Sequence, residues 1–255
     1  MAYTNSPLVS YTKLSPNHSG QRTHSIDRIT PHCVVGQCSV ETLGNVFLPT
    51  SRQASSNYGI GVDGRVGMYV EEKNRSWCSS SAANDQRAVT IECASDATEP
   101  YAFKDVVYQR LIELCTDICK RNGKTKLLWL GDKDKTLGYT PAPDEMVLTV
   151  HRWFANKSCP GDWMYERLEC LSKEVTDALT KTPLDNNAAD WSKNEVNWAL
   201  RNGILKGDER GNLMLHSPVT REQLCVMLKR YHDFIYPPQL NKSQKTVENN
   251  SSKGV

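Results

Sequence analysis

The 255-residue sequence lacks the features that mark several large protein classes. No apolar run approaches the roughly 18 to 20 residues that a membrane span requires, so no span is expected. The N-terminal stretch MAYTNSPLVSYTKLSPN has neither a charged start nor a continuous apolar segment, which reads as a chain made in the cytoplasm without an export signal. Neither sign of charge is in excess: 31 basic and 29 acidic residues leave a net charge of +2, which argues against a nucleic-acid partner. There is no CxxC pair, so zinc ribbons and thioredoxin-type sites are unsupported. The nine cysteines are odd in number and follow no regular framework, and in a chain without a secretory signal they read as reduced thiols.

What is present is an ordinary globular composition, 38% apolar, with length enough for one substantial domain and a small one. Apolar segments read as strands at Arg28 to Val35, Ala88 to Cys93, Lys126 to Leu130 and Val147 to Val150. NYGIGVDGRVGMYV (57–70) alternates around an Asp63-Gly64 turn, as a hairpin does. Val40 to Leu48 reads as a short helix. Helical spacing is clearest over Phe103 to Arg121, closed by Asn122-Gly123, and recurs over Trp163 to Leu179. In the first of these helices Cys115 and Cys119 sit one turn apart and read as small buried hydrophobes. Strands alternating with helices predict an α/β fold, a central mixed β-sheet flanked by helices, over 1–179. A polar linker is expected at 180–190, a small helical C-terminal domain at 191–236 and a disordered tail at 237–255. Within the small domain, Thr220 and Gln223 have capping-box spacing.

Chemistry is concentrated around HRWFANKSCPG, directly after an apolar strand. His151 and Cys159 lie eight residues apart across a short loop and could converge on one ion. His, Cys and carboxylate side chains are the ligands zinc favours, and a catalytic zinc takes three of them, leaving a position for water. His32, at the centre of its strand, is the best-placed third ligand; His18 and His24 fall in a polar leader, and His216 and His232 in the small domain. A buried histidine on each strand hydrogen-bonded to backbone, with an inert buried cysteine, satisfies the same pattern.

The motifs ITPH, NYGIGVDGRV, AVTIE and HRWFANKSCPG, in that order, resemble the amidase-2 superfamily of phage endolysins, bacterial amidases and animal peptidoglycan recognition proteins. The resemblance runs from about Ser15 to Leu179. It implies one Zn2+ per chain on His32, His151 and Cys159, with Lys157 as a catalytic lysine that stabilises the oxyanion. Glu92, otherwise a charged residue on a strand edge, takes the place of the base that activates water. Ser56 stands where some relatives carry a tyrosine, which strengthens the case for Glu92. Asn84, Asp85 and Arg87 become candidates for the glycan groove, and Trp77 and Trp153 for stacking on sugars, although a tryptophan beside a strand is as often core.

The implied reaction is hydrolysis of the amide between N-acetylmuramic acid and L-alanine in peptidoglycan. An endolysin or autolysin of this kind acts at the cell wall, and the lack of an export signal fits holin release. Two alternatives stand beside it: a recognition protein that binds peptidoglycan without cutting, as relatives lacking the cysteine do, and a thiol peptidase using Cys159 and His151. WSKNEVNWALRNGILKGDERGNLMLHSPVTREQLCVML resembles one S-layer homology repeat through Trp191, Trp198, the GILKGD loop and Thr220 to Gln223. That resemblance implies a secondary cell-wall polymer as partner, either alone or by assembly into a homo-oligomer; the competing reading is a helical hairpin packed through Trp198 and Leu224.

Overall fold

The computed structural model describes residues 3–180 and 185–237. The expected tail from 238 onward, and part of the expected linker, lie outside the described residues. The chain divides into two compact units, Met1–Lys181 and Thr182–Val255. Among the described residues no helix is long and apolar enough to cross a membrane.

The strands of the first unit are β1 (Val9–Thr12), β2 (His18–Gln21), β3 (Arg28–Cys33), β4 (Tyr58–Ile60), β5 (Val66–Met68), β6 (Asn74–Ser76), β7 (Ala88–Cys93), β8 (Lys126–Leu128) and β9 (Glu145–Leu148). Its helices are α1 (Val40–Phe47), α2 (Ala82–Asp85), α3 (Asp105–Arg121), α4 (Lys133–Gly138), α5 (Asp162–Tyr165) and α6 (Leu168–Thr180). Seven strands form one sheet in the order β1-β5-β4-β7-β3-β9-β8, and β2 pairs with β6 in a second, two-stranded sheet. The pairs β3–β7, β3–β9, β4–β7, β8–β9 and β1–β5 are parallel, and only the hairpin β4–β5 in this sheet is antiparallel. This is the mixed sheet flanked by helices that the sequence predicts. Three details differ. The polar leader contains β1 and β2, the last predicted strand starts two residues earlier, at Glu145, and the second long helix is broken into α5 and α6.

Strand residues alternate between faces. In β3 and β7, Ile29, Cys33, Val89, Ile91 and Cys93 join the main core with Val107, Leu111 and Leu114 of α3 and Leu168, Leu171 and Val175 of α6. The intervening residues, Thr30, His32, Thr90 and Glu92, face the opposite way. That side has only a small apolar cluster, Leu43, Phe47 and Tyr69, around α1. Beyond it the face is covered by polar side chains that satisfy one another: Thr30 and Thr149 share a hydroxyl bond of 2.7 Å, and the Ser76 and Thr90 hydroxyls lie 2.8 Å apart. Burial without unpaired groups is the condition for such a face to be stable.

A second buried polar cluster ties the N-terminal segment to the domain. Glu72, 1% exposed, accepts from the Tyr58 hydroxyl at 2.7 Å and from Arg121 Nη1 at 3.0 Å. Tyr58 in turn accepts from the Ser6 amide at 2.8 Å.

In the second unit, α7 (Lys193–Arg201) and α8 (Arg221–Ile235) meet at a perpendicular contact of Trp198 and Phe234, 5.7 Å between ring centres. The aromatic partner of Trp198 is Phe234, and Leu224 is 46% exposed, much as Trp198 at 41% and Phe234 at 43% are. The capping box is present, with the Thr220 hydroxyl accepting from the Gln223 amide and the Gln223 side chain accepting from the Thr220 amide. Trp191 is 87% exposed.

Removing the cation from a buried pair strands its carboxylate, at a typical cost of about 3–5 kcal/mol. Arg121→Ala is therefore expected to lower the stability of the first unit by about that amount in urea unfolding, whereas a loss of under about 1 kcal/mol would mean that water already solvates Glu72.

Candidate active site

The site is built on the register of β3 and β7. These strands run parallel with His32 opposite Glu92, so both side chains leave the same face near the C-terminal ends of the strands. The third element is the segment after β9, a single 3-10 turn at His151–Trp153 followed by a loop to Cys159. The His32 and His151 rings lie 5.1 Å apart, and Cys159 Sγ is 3.3 Å from His32 Nδ1. Donor atoms of His32, His151 and Cys159 all fall within 4.8 Å of one another. They line one cleft of about 530 Å³ together with Glu92, Lys157 and Arg52, walled by Leu43, Val46 and Phe47 of α1.

The loop that brings Cys159 in has no slack. Gly161 has φ of +84°, and a Cβ there would come within 2.7 Å of the Pro100 carbonyl and 2.8 Å of Tyr101 Cβ. Both the left-handed backbone and the lack of space require glycine. The Trp163 amide, just beyond, donates to the same Pro100 carbonyl at 3.1 Å, locking the loop against the segment that follows β7.

Burial sets the protonation states. It holds the His32 imidazole well below its ordinary range, with His151 adding to the effect. His151 is lowered by burial and then by Lys157. Both rings are thus neutral, as metal ligands must be. The Cys159 thiol is raised, first by its contact with Cys33 and then by burial. Glu92 is pushed up to about 7 by burial, against weaker opposing effects from the Cys78 hydrogen bond and from Arg52. His32 Nε2 and Glu92 Oε2 are buried with no hydrogen-bond partner. Two neutral imidazoles, a converging thiol and orphaned buried polar atoms fit a divalent cation with N and S preference. The same raised thiol is a poor free nucleophile, which counts against the thiol peptidase.

The other residues singled out in the sequence are placed differently. Asn84 is fully buried and donates to the Thr30 hydroxyl at 3.0 Å, while Asp85, 3% exposed, accepts from the Cys78 and Ser79 amides at 3.0 and 3.2 Å. Both sit inside the polar layer and anchor the loop after β6, so neither offers a surface to a glycan. Arg87 pairs with Asp27 and lines a different cavity, at the N-terminal ends of β3 and β7; the cleft of His32 and Glu92 is about 13 Å further along the strands. Trp153 is buried and stacks on Trp129 with centroids 5.1 Å apart, which makes it core. Trp77 is half-buried and donates through its indole to Ser19 at 2.7 Å. Ser56 is fully buried, its hydroxyl donating to the Thr90 carbonyl at 3.0 Å.

Sequence reasoning missed three neighbours of the site. Cys78 Sγ donates to Glu92 Oε1 at 3.7 Å. The Ser80 hydroxyl lies 2.9 Å from His151 Nε2, on a residue with φ of +61°. Arg52 is the cation acting on Glu92. The run Cys78-Ser79-Ser80-Ser81 carries a weak signal in its small polar residues before a helix start, with Ser81 capping α2 through the Asn84 amide.

A mixed-sheet α/β fold with a His, His, Cys cleft and an adjoining carboxyl defines a candidate hydrolase. The profile of the N-acetylmuramoyl-L-alanine amidase family, amidase type 2, matches residues 17–162, and the chain belongs to that family of peptidoglycan amidases. No curated protein sequence matches the chain. Among solved structures, a selenomethionine derivative of AmpD aligns at 15% identity over 71% of this chain and 100% of its own, with a TM-score of 0.46. The catalytic domain of XlyA aligns at 10% identity over 65% and 97%, with a TM-score of 0.44. The Ph2119 endolysin from a Thermus scotoductus bacteriophage aligns at 15% identity over 62% and 90%, with a TM-score of 0.40.

A residue forced into the left-handed region against a backbone clash costs on the order of 1–3 kcal/mol. Gly161→Ala is expected to destabilise the first unit by about that much in urea unfolding. Unchanged stability would mean that the loop has slack after all.

Proposed function

We propose that the protein hydrolyses the amide between N-acetylmuramic acid and L-alanine in peptidoglycan, with one zinc held by His32, His151 and Cys159. The observation that carries this reading is the convergence of those three donors within 4.8 Å of one another, beside a carboxyl, inside one cleft. Zinc at such a site supplies Lewis acidity toward the amide carbonyl and a water acidified toward neutrality. Glu92 takes the proton from water and delivers it to the departing alanine nitrogen; a carboxyl poised near 7 is suited to both transfers. Lys157, on the cleft rim near His151, balances the negative charge of the tetrahedral intermediate. Ser80 holds the His151 ring through Nε2 at 2.9 Å, as a partner behind a metal ligand would.

The role is that of an endolysin or autolysin acting on the wall. The second unit serves as an S-layer-homology-like module for a secondary cell-wall polymer. Its capping box and its GILKGD turn, where Asp208 Oδ1 accepts from the Arg210 and Asn212 amides at 2.9 Å each, support that assignment.

Purified protein with zinc is expected to release new N-terminal alanine from Gram-positive wall preparations. Chelation should stop the release and zinc restore it. Glu92→Gln should lower kcat about 10²- to 10⁴-fold while keeping its zinc, and Lys157→Ala should lower it by about a hundredfold or more. Wall binding with no alanine release at any zinc concentration would favour a recognition protein. Release that survives zinc removal would favour the thiol peptidase.

A further inference from the structure

His32 and Glu92 belong to a second set of donors. An imidazole nitrogen of His32, the Cys78 sulfur and a Glu92 oxygen also lie within 4.8 Å of one another. Histidine, cysteine and glutamate are all zinc ligands, and this set falls within the same 4.8 Å as the first. Its polar atoms are poorly satisfied. His32, 1% exposed, leaves Nε2 without a partner, and Glu92 Oε2 is likewise buried and unpaired. The loop carrying Cys78 is fixed from behind, since Asp85 accepts its amide at 3.0 Å, so the thiol is held over Glu92 rather than passing by it.

A neutral imidazole has one nitrogen lone pair to offer. His32 Nδ1 is the atom 3.3 Å from Cys159 Sγ, and Nε2 is the orphan. The ring therefore serves one ion at a time, and the two sets compete for it. A divalent ion on one thiolate and one carboxylate is neutral overall, which suits burial better than an isolated charge does.

We propose that His32, Cys78 and Glu92 form a second metal position that excludes the first, in which the ion is parked on the base and the enzyme is idle. The proposal rests on the zinc-amidase reading of the same cleft. Transfer between positions exchanges His151 and Cys159 for Cys78 and Glu92; the Cys78 thiol gives up a proton to solvent as its sulfur binds, and Cys159 takes one as it is released.

The test uses the full chain stripped by a chelator and reloaded with cobalt(II), whose bonds to thiolate absorb in the near ultraviolet. Wild type, Cys159→Ser and Cys159→Ser/Cys78→Ala are compared by absorption and by cobalt content after dialysis. Cys159→Ser is expected to keep about one cobalt per chain and its thiolate absorption, and the double variant to lose both. Absorption absent from Cys159→Ser, or surviving in the double variant, overturns the proposal. Wild type that binds no cobalt overturns the zinc-amidase reading as well; wild type with thiolate absorption and Cys159→Ser without it overturns the second position alone. Should Cys159→Ser fail to fold by circular dichroism, His151→Ala decides: cobalt is expected to shield its Cys78 from alkylation, read by peptide mass spectrometry, and equal labelling with and without cobalt overturns the proposal.

Discussion

The constraint on which the site depends is the parallel register of two neighbouring strands, His32 opposite Glu92. Parallel pairing makes opposed residues share a face, and the alternation of Ile29, Val89 and Ile91 into the α3 and α6 core forces His32 and Glu92 to the other. A slip of one residue would send both into the apolar core. The face they occupy is therefore dictated by the hydrophobic pattern of the strands, not by His32 and Glu92 themselves.

That face is unusual in being closed by polar groups. Asn84, Thr30, Thr149, Ser76 and Thr90 saturate one another, and the saturation ends at the cleft, where His32 Nε2 and Glu92 Oε2 have no partner. Burial then keeps both imidazoles neutral and Glu92 near 7. Buried donors that are neutral and under-bonded are suited to a cation and to proton transfer, and the loops around them hold them in that state. Asp85 anchors the Cys78–Ser80 loop, and Gly161 allows the Cys159 loop to close on Pro100.

The parts of the fold that were legible in the sequence are those where pattern and burial agree. β3, β7, the β4–β5 hairpin and α3 announce themselves by apolar period and turn residues. β1 and β2 do not, because VSYT and HSGQ are four-residue, half-exposed strands, and α2 is a single turn. At the site, motif order brought His32, Glu92, His151, Lys157 and Cys159 to one cleft. Asn84 and Asp85 were misplaced for a physical reason: polar residues read as surface, whereas here they are buried because their partners are buried with them. Cys78 and Ser80 leave only the weak signal of a serine run, since their contacts to Glu92 and His151 depend on loop paths that no local pattern specifies, and Arg52 acts on Glu92 through its charge alone. Trp153 packs in the core on Trp129, one of the two readings that a tryptophan beside a strand leaves open.

The histidine on β3 is the member that every metal arrangement of this cleft shares, so its removal is the most direct measurement. Zinc content by elemental analysis after exhaustive dialysis should be about one per chain in wild type and none in His32→Ala, with the folded state of the variant verified by circular dichroism. A folded His32→Ala that keeps its zinc, or wild type that cleaves the amide with no zinc bound, would contradict a metal centre built on the register of β3 and β7.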